Sequence, residues 1–196
     1  MKKIYLLLVS TISAASFAQT TITKAANDYV APQSINSTNV IGTPNNSASG
    51  SGVTFDNSLL TSGTSVVSLV SIPSAGEITS FPGTTVKFED GNGNSLFYKS
   101  SATLLEITGA SISGATLSFS ADNALFLKFP TSFPDTYTDN ARGSFTNGTV
   151  SGLFRGTITT TADATGTLLL SGSTYNNILR VKTVQNYNLY QTSDTN

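Results

Sequence analysis

The densest group of potential metal-ligating side chains lies in residues 89–94, Glu-Asp-Gly-Asn-Gly-Asn. Asp90, Asn92 and Asn94 have the alternate spacing of a calcium-binding loop, in which successive oxygens reach one ion. With Glu89 as a fourth ligand, these residues form the predicted calcium site. The EF-hand pattern is not completed, because serine replaces its glycine and its closing glutamate. The same glycines and amides also suit a tight hairpin turn, so the sequence leaves both interpretations open.

Paired carboxylates are the second chemistry that the composition allows. The chain has no histidine and no cysteine, which excludes imidazole bases, Ser-His-Asp triads, thiolate nucleophiles and disulfides. A glycoside hydrolase needs only two carboxylates, about 5 to 9.5 Å apart. A carbohydrate-active hydrolase is therefore the enzymatic alternative, although no recognised motif brings any two acids together. The candidate acids are Glu77, Glu89, Glu106, Asp135, Asp139 and Asp163.

Two aromatic residues, Phe133 and Tyr137, are the predicted ligand-binding pair. Flat rings with a polar edge suit contact with sugars or with another protein. They lie in a proline-marked stretch, residues 130–143, which we expect to be a loop. Loops often present binding residues on a rigid scaffold. The competing interpretation is that these rings belong to the core or to a sheet edge.

The balance of charge disfavours nucleic acid as a partner. Charged residues make up 11% of the 196-residue chain, and the net charge is −1. No basic patch is present to neutralise phosphates. Surface polarity must come instead from serine, threonine, asparagine and glycine, a composition typical of extracellular β proteins.

Apolar and polar residues alternate with a period of two through most of the chain after residue 52. We therefore predict an all-β fold, an antiparallel β-sandwich or jelly-roll-like domain spanning residues 52–196. The clearest stretch is residues 153–184. There we expect strands separated by turns at residues 162–166 and 171–173, with a further strand near residues 187–190.

One hairpin has a register that the sequence itself favours. A three-residue loop at residues 91–93 places Phe88 opposite Leu96 and Val86 opposite Tyr98. All four apolar side chains then share one face. A loop one residue shorter would mix apolar and polar side chains on each face. We predict the longer loop.

The N-terminus predicts export. Residues 1–18 have the pattern of a cleaved signal peptide, with Lys2 and Lys3 before a short apolar stretch and small residues before Gln19. The apolar stretch is too short for a bilayer of about 30 Å, and no membrane span is expected in the mature chain. Its removal leaves eight basic and eleven acidic side chains, a net charge of −3. Residues 19–51, rich in Asn, Ser, Gly and Pro, are expected to form an N-terminal arm with at most short strands.

Several segments resemble a group of secreted Bacteroidetes proteins. The leader ends in FAQ and continues with TTITKAANDYV; the other segments are SFPGTTVKFED, LEITGA, DNARGSF, GTITTTADATGTLLL and TYNNILRVKTVQNYNLY. They are similar to the N-terminal region of uncharacterised flavobacterial cargo proteins of type IX secretion. Those proteins carry a C-terminal sorting domain that directs export through the outer membrane. No such domain follows Asn196, so we expect a fragment of a longer protein. The resemblance implies a lineage and no particular activity.

These features together predict a secreted or cell-surface β-rich module with a structural, adhesive or ligand-binding role and no catalysis. The export machinery is its expected partner through the signal peptide. Polysaccharide or surface proteins are the further candidate partners. Calcium is the one cofactor for which the sequence offers ligands.

Overall fold

The computed structural model describes residues 20–191, so the predicted signal peptide lies outside the described residues. Within this range the backbone forms thirteen strands and two short helices, and the predicted all-β fold is confirmed. In chain order they are β1 (Thr21–Ile22), α1 (Lys24–Asn27), β2 (Gln33–Ile41), β3 (Gly50–Asn57), β4 (Thr61–Ser71), α2 (Ala75–Ser80), β5 (Val86–Glu89), β6 (Ser95–Ser100), β7 (Leu104–Ile112), β8 (Ala115–Asp122), β9 (Ala124–Lys128), β10 (Thr131–Ser132), β11 (Thr136–Asn147), β12 (Val150–Leu170) and β13 (Ser173–Gln191).

Eleven of these strands belong to one large sheet, while β1 and β10 form a small separate one. The main order is β13-β12-β11-β8-β7-β6-β5-β4-β2, with β9 beside β7 and β3 beside β12. All described pairings are antiparallel except that of β3 with β12. Only residues 58–60 separate β3 from β4, although these strands lie near opposite ends of the order. The end of β3 therefore lies close to the start of β4, and the buried side chains of the sheet form one core.

The core draws on strands from β4 to β13. Phe119 and Phe154 meet edge to face with ring centres 4.8 Å apart, and Tyr187 contacts both rings. Burial of each such ring contributes about 1.5–3 kcal/mol of transfer free energy. The buried members of this cluster are Val70, Val86, Tyr98, Leu105, Ile107, Phe119, Ala124, Leu127, Phe129, Ala141, Phe154 and Ile158.

The predicted turn at residues 162–166 is wrong, because β12 continues through it to Leu170. Ala162 and Ala164 are fully buried, so the strand must stay against the core here. The turn-forming residues are used instead for irregularities in the pairing with β13, on either side of Asp163 and after Gly166. The strand expected after the turn at residues 171–173 and the one expected near residues 187–190 likewise merge into β13. The turn at residues 171–173 is confirmed.

The predicted hairpin register is confirmed. Val86 pairs with Tyr98 and Phe88 with Leu96. The backbone N–H of Asp90 donates to the Asn94 carbonyl at 3.1 Å, which closes a three-residue loop. Two glycines in that loop have φ angles of 76° and 88°, a conformation that glycine adopts without strain.

The N-terminal arm contains more regular structure than expected. We expected at most short strands in residues 19–51, but β2 has nine residues and β3 begins at Gly50. Only Ile35 of β2 is partly buried, and the other side chains are exposed. Because β2 is held by backbone pairing with β4, its sequence needs no apolar alternation. A strand of this kind is not visible to a pattern search.

Helix α2 covers a second, smaller apolar contact. The helix begins at a capping box in which Ser74 and Glu77 satisfy each other's backbone N–H groups, a pattern readable in the sequence. It ends at Phe81, whose ring stacks on Phe97 with centres 4.2 Å apart. Phe81 also lies directly over Gly109 of β7. A Cβ atom added to Gly109 would fall 2.0 Å from that ring.

Gly109→Ala should lower the free energy of unfolding by about 1–3 kcal/mol, the usual effect of overpacking a filled site. The cause is steric, since the φ angle of Gly109 is not in the left-handed region. Chemical denaturation of the variant and of the wild type measures the change. Gly76→Ala is the matched control, because nothing lies within 4 Å of its added methyl and alanine favours the helix. Equal stability of the two variants would contradict the packing of Phe81 on Gly109.

Candidate functional site

We give the name polar face to the polar outward side chains of β11, β12 and β13; the exposed Leu153 and Val184 lie on the same side of the sheet. Successive residues of a strand point to opposite sides, so the alternating burial of Ala141, Phe154 and Tyr187 in the core directs their neighbours to solvent. The polar face consists of Thr138, Asn140, Arg142, Arg155, Thr157, Thr159, Asn186, Asn188 and Tyr190.

The strand register aligns these side chains in rows. Arg142 lies opposite Arg155, which lies opposite Asn188. The next row contains Asn140, Thr157 and Asn186 in the same way. Beyond it, the hydroxyls of Thr138 and Thr159 share a hydrogen bond of 2.9 Å. The face therefore presents hydroxyl, amide and guanidinium groups in a regular array.

A groove of 470 Å³ runs along the arginine row. Arg142 Nε lies 3.8 Å from Asp122 Oδ2, and both side chains are largely exposed. Arg155 Nε donates to the Tyr190 hydroxyl at 3.0 Å, and its guanidinium carbon lies 4.9 Å from the centre of that ring. The residues lining the groove are Asp122, Asn140, Arg142, Arg155, Gly156, Thr157 and Asn188.

A second groove, of 560 Å³, is built around a satisfied ion pair. Arg180 binds Asp163 through two hydrogen bonds of 2.7 and 3.0 Å. A third N–H of Arg180 donates to the Asn46 carbonyl, and the guanidinium carbon lies 4.8 Å from the centre of the Phe55 ring. Every part of this side chain is engaged, so it fastens the segment before β3 to the main sheet.

The predicted aromatic pair does not lie on the polar face. The loop expected over residues 130–143 is shorter, because β11 begins at Thr136 and includes Tyr137. The Tyr137 hydroxyl accepts a 2.9 Å hydrogen bond from the backbone N–H of Lys128, whose ammonium lies 4.9 Å from the ring centre. Phe133 and Tyr137 are both half-buried. Ligand binding by this pair stays a prediction, while Tyr137 has a visible structural role.

Tyr137→Phe should lower the free energy of unfolding by about 1 kcal/mol, because the Lys128 N–H loses its acceptor. Tyr187→Phe is the matched comparison and should leave stability unchanged or raise it. The Tyr187 hydroxyl is enclosed with no hydrogen-bond partner among the described residues, and burial, with the nearby Asp139 carboxylate, raises the pKa of Tyr187 to about 12. Urea denaturation of both variants measures the change in the free energy of unfolding. A larger loss of stability for Tyr187→Phe than for Tyr137→Phe would contradict the roles given to the two hydroxyls.

Among the predicted calcium ligands, Asp90 uses its carboxylate oxygens within the hairpin turn. Asp90 Oδ1 accepts from the backbone N–H groups of Asn92 and Asn94 at 2.7 and 3.0 Å, and Oδ2 accepts from the Asn94 amide at 2.7 Å. Glu89 is paired with Lys87 at 3.0 Å. Within residues 20–191, no three acidic, histidine or cysteine side chains come together as a metal site. Calcium binding by Glu89, Asp90, Asn92 and Asn94 stays a prediction.

The turn makes stability depend on pH in a defined direction. Hydrogen bonds from the Asn94 side chain and the Asn92 backbone lower the pKa of Asp90 from its ordinary value of 3.8. A carboxyl whose pKa is lower in the folded state stabilises the fold above the unfolded pKa, and this stabilisation is lost as pH falls through the folded pKa.

Asp90→Asn should therefore be less stable than the wild type at about pH 7, and the difference should shrink as the pH falls below about 4. The protonated wild-type side chain, like asparagine, carries no charge for the turn amides to stabilise. Thermal unfolding midpoints of both proteins across this range give the measurement. A difference that stays constant on acidification would show that the Asp90 carboxylate does not stabilise the turn.

The candidate hydrolase acids have partners that suit structural roles. Lys87 lies between two of them, 2.8 Å from Glu77 and 3.0 Å from Glu89. Hydrogen bonds from Lys87 and the Ser74 backbone lower the pKa of Glu77, whereas a general acid must hold its proton near neutral pH. The remaining pairs are Glu106 with Lys99, Asp135 with the Ser132 N–H, Asp139 with the Leu125 N–H and Asp163 with Arg180. Hydrolysis by a carboxylate pair stays a prediction.

One cluster of reactive side chains was missed by the sequence reasoning. Lys24 contacts both the Ser100 hydroxyl and the Asp28 carboxylate, and Ser100 Oγ donates to Asp28 Oδ2 at 2.6 Å. Lys24 forms an ion pair with Asp28, and both side chains contact Ser100, so the cluster fastens α1 to β6. Ser100 lies 76 positions from Lys24 and 72 from Asp28, and no local pattern joins it to them.

Comparison with protein-family models, with curated proteins and with solved structures found no match to this chain. The resemblance to type IX cargo proteins therefore stays a prediction.

Among the described residues, no helix has the length and apolar character needed to cross a membrane.

Proposed function

We propose that this chain is a non-catalytic binding module of an exported protein and that it contacts polysaccharide through the polar face. The observation that carries the proposal is the three-strand array of exposed hydroxyl, amide and guanidinium groups. Sugars carry several hydroxyl groups, and each can exchange hydrogen bonds with such side chains. A rigid sheet holds its side chains in fixed positions, which reduces the entropy lost on binding.

The shape of the face also supports a polymeric ligand. The groove along the arginine row is open to solvent, so a ligand that lies in it need not be fully enclosed and can continue beyond it. Tyr190 packs under the guanidinium of Arg155 and accepts a hydrogen bond from its Nε, which holds the Arg155 side chain in place beside the groove.

Export is the second part of the proposal and is supported by the sequence. The leader pattern in residues 1–18 predicts secretion, and the low charge with abundant serine, threonine and asparagine suits an extracellular surface. The chain has no cysteine, so packing and strand pairing alone stabilise it. The large sheet supplies the strand pairing, and its aromatic core supplies the packing.

Affinity electrophoresis of the mature chain against a panel of neutral and acidic polysaccharides tests the proposed function. At least one polymer should retard the wild-type protein without any release of reducing ends. The variant Asn140→Ala/Asn188→Ala should bind about tenfold more weakly, because two exposed amides are lost from the groove.

The matched control is Asn36→Ala/Asn39→Ala, which removes two exposed amides from β2 at the other end of the sheet. It should bind like the wild type. No retardation by any polymer would overturn the proposed function. Equal weakening by both double variants would place the binding surface elsewhere, and release of reducing ends would favour the hydrolase alternative.

A further inference from the structure

The two arginines of the polar face lie in an arrangement that a sheet normally avoids. Arg142 and Arg155 are directly opposed on β11 and β12 and point to the same side. Side chains opposed in this way have Cβ atoms about 4.5–5.5 Å apart, and like charges there destabilise the pair. A sheet retains such a pair at lower cost when an anion lies between the two charges.

The surrounding residues neutralise this pair only in part. Asp122 lies 3.8 Å from Arg142 Nε, in a contact between two largely exposed side chains. Exposed ion pairs of this kind contribute little to the stability of the fold. Within the described range, Arg155 has no carboxylate partner. Its Nε donates to the Tyr190 hydroxyl, and its two terminal nitrogens do not take part in that hydrogen bond.

A third arginine of the same strands shows what full neutralisation looks like. Arg180 makes two short hydrogen bonds to Asp163 and a third to a backbone carbonyl. Its side chain is 22% exposed, against 62% for Arg142. Arg142 and Arg155 therefore differ from the Arg180–Asp163 pair: their positive charge is less fully neutralised, and Arg142 is more exposed.

We infer that the groove along the arginine row binds an oxyanion carried by a sugar, either the carboxylate of a uronate or a sulfate ester. This inference rests on the proposed function, because it names the class of polysaccharide. Guanidinium groups bind such oxyanions with paired N–H donors. Asn140, Thr157 and Asn188 line the same groove and offer amide and hydroxyl groups to the rest of the sugar.

The volume of the groove and the net charge of the protein both agree with binding of the oxyanion at one particular site. A volume of 470 Å³ lies within the range of small-molecule sites, about 300–1,000 Å³. The mature chain has a net charge of −3, so general attraction to a polyanion is not expected. Binding of an acidic polymer would have to arise from contacts with particular cations, and substitution of those cations should abolish it.

Calorimetric titration of the mature chain with three polymers tests the inference: polygalacturonate carries carboxylates, dextran sulfate carries sulfate esters, and dextran is neutral. At least one acidic polymer should bind about tenfold more tightly than dextran. Arg142→Gln and Arg155→Gln should each weaken that binding about fivefold or more, and the double variant should bind no better than to dextran. The acidic polymer that binds more tightly identifies the oxyanion.

Lys182→Gln is the matched control, since it removes one exposed positive charge from the same side of β13. It lies six positions along the strand from Asn188, about 20 Å away, and should change affinity less than about twofold. Arg155→Lys keeps the positive charge but removes the paired N–H donors of the guanidinium. It should therefore weaken binding, whereas Lys182→Gln should not. Circular dichroism of each variant confirms that the fold is retained.

The outcomes separate this inference from the proposed function. Equal binding of dextran and both acidic polymers, unaffected by the arginine substitutions, would overturn the inference and leave the polysaccharide module standing. Weakening by Lys182→Gln as large as that by Arg142→Gln would also overturn it, because nonspecific attraction would explain the result. Failure of every polymer, neutral or acidic, to bind would overturn both.

Discussion

Backbone pairing along β12 is the constraint on which the rest of the structure depends. One edge of this strand pairs with β13 over nearly its whole length, while the other edge is shared, first by β11 and then by β3. Its inward side chains include Phe154, Ile158 and Ala162, which are almost completely buried. The same strand therefore fixes the core on one side and the rows of the polar face on the other. A slip of one residue would exchange the two sides.

Much of the fold could be predicted where pattern and turn chemistry are local. The hairpin around Gly91 was predictable to the residue, because only one loop length places Val86 and Phe88 with Leu96 and Tyr98. The strand β2 was not predictable, since its stability comes from a backbone partner elsewhere in the chain. The stretch around Asp163 misled for a related reason: bulges and turns use the same residue types, and only the buried alanines on either side distinguish them.

The candidate site was even harder to predict from the sequence than the fold, because it is formed by residues that are far apart in the chain. Arg155 and Arg180 have similar sequence surroundings, because two apolar residues of a strand precede each of them. One lies in an open groove opposite another arginine, and the other is bound on several sides by Asp163, Asn46 and Phe55. Sequence alone could place both on solvent-facing positions. It could not show which charge each would meet, because those partners are brought in by strand register and by a loop more than a hundred positions away.

The parallel pairing of β3 with β12 has a consequence for the order in which the chain folds. Residues 50–57 pair with residues 164–170, so an early segment must wait for a late one. Contacts between such distant segments require a long loop to close first, and they form slowly. During synthesis, β3 has no strand partner until β12 has emerged, whereas β2 and β4 can already pair with each other. The edge of the sheet that β3 closes is therefore completed only when the end of β12 has been made.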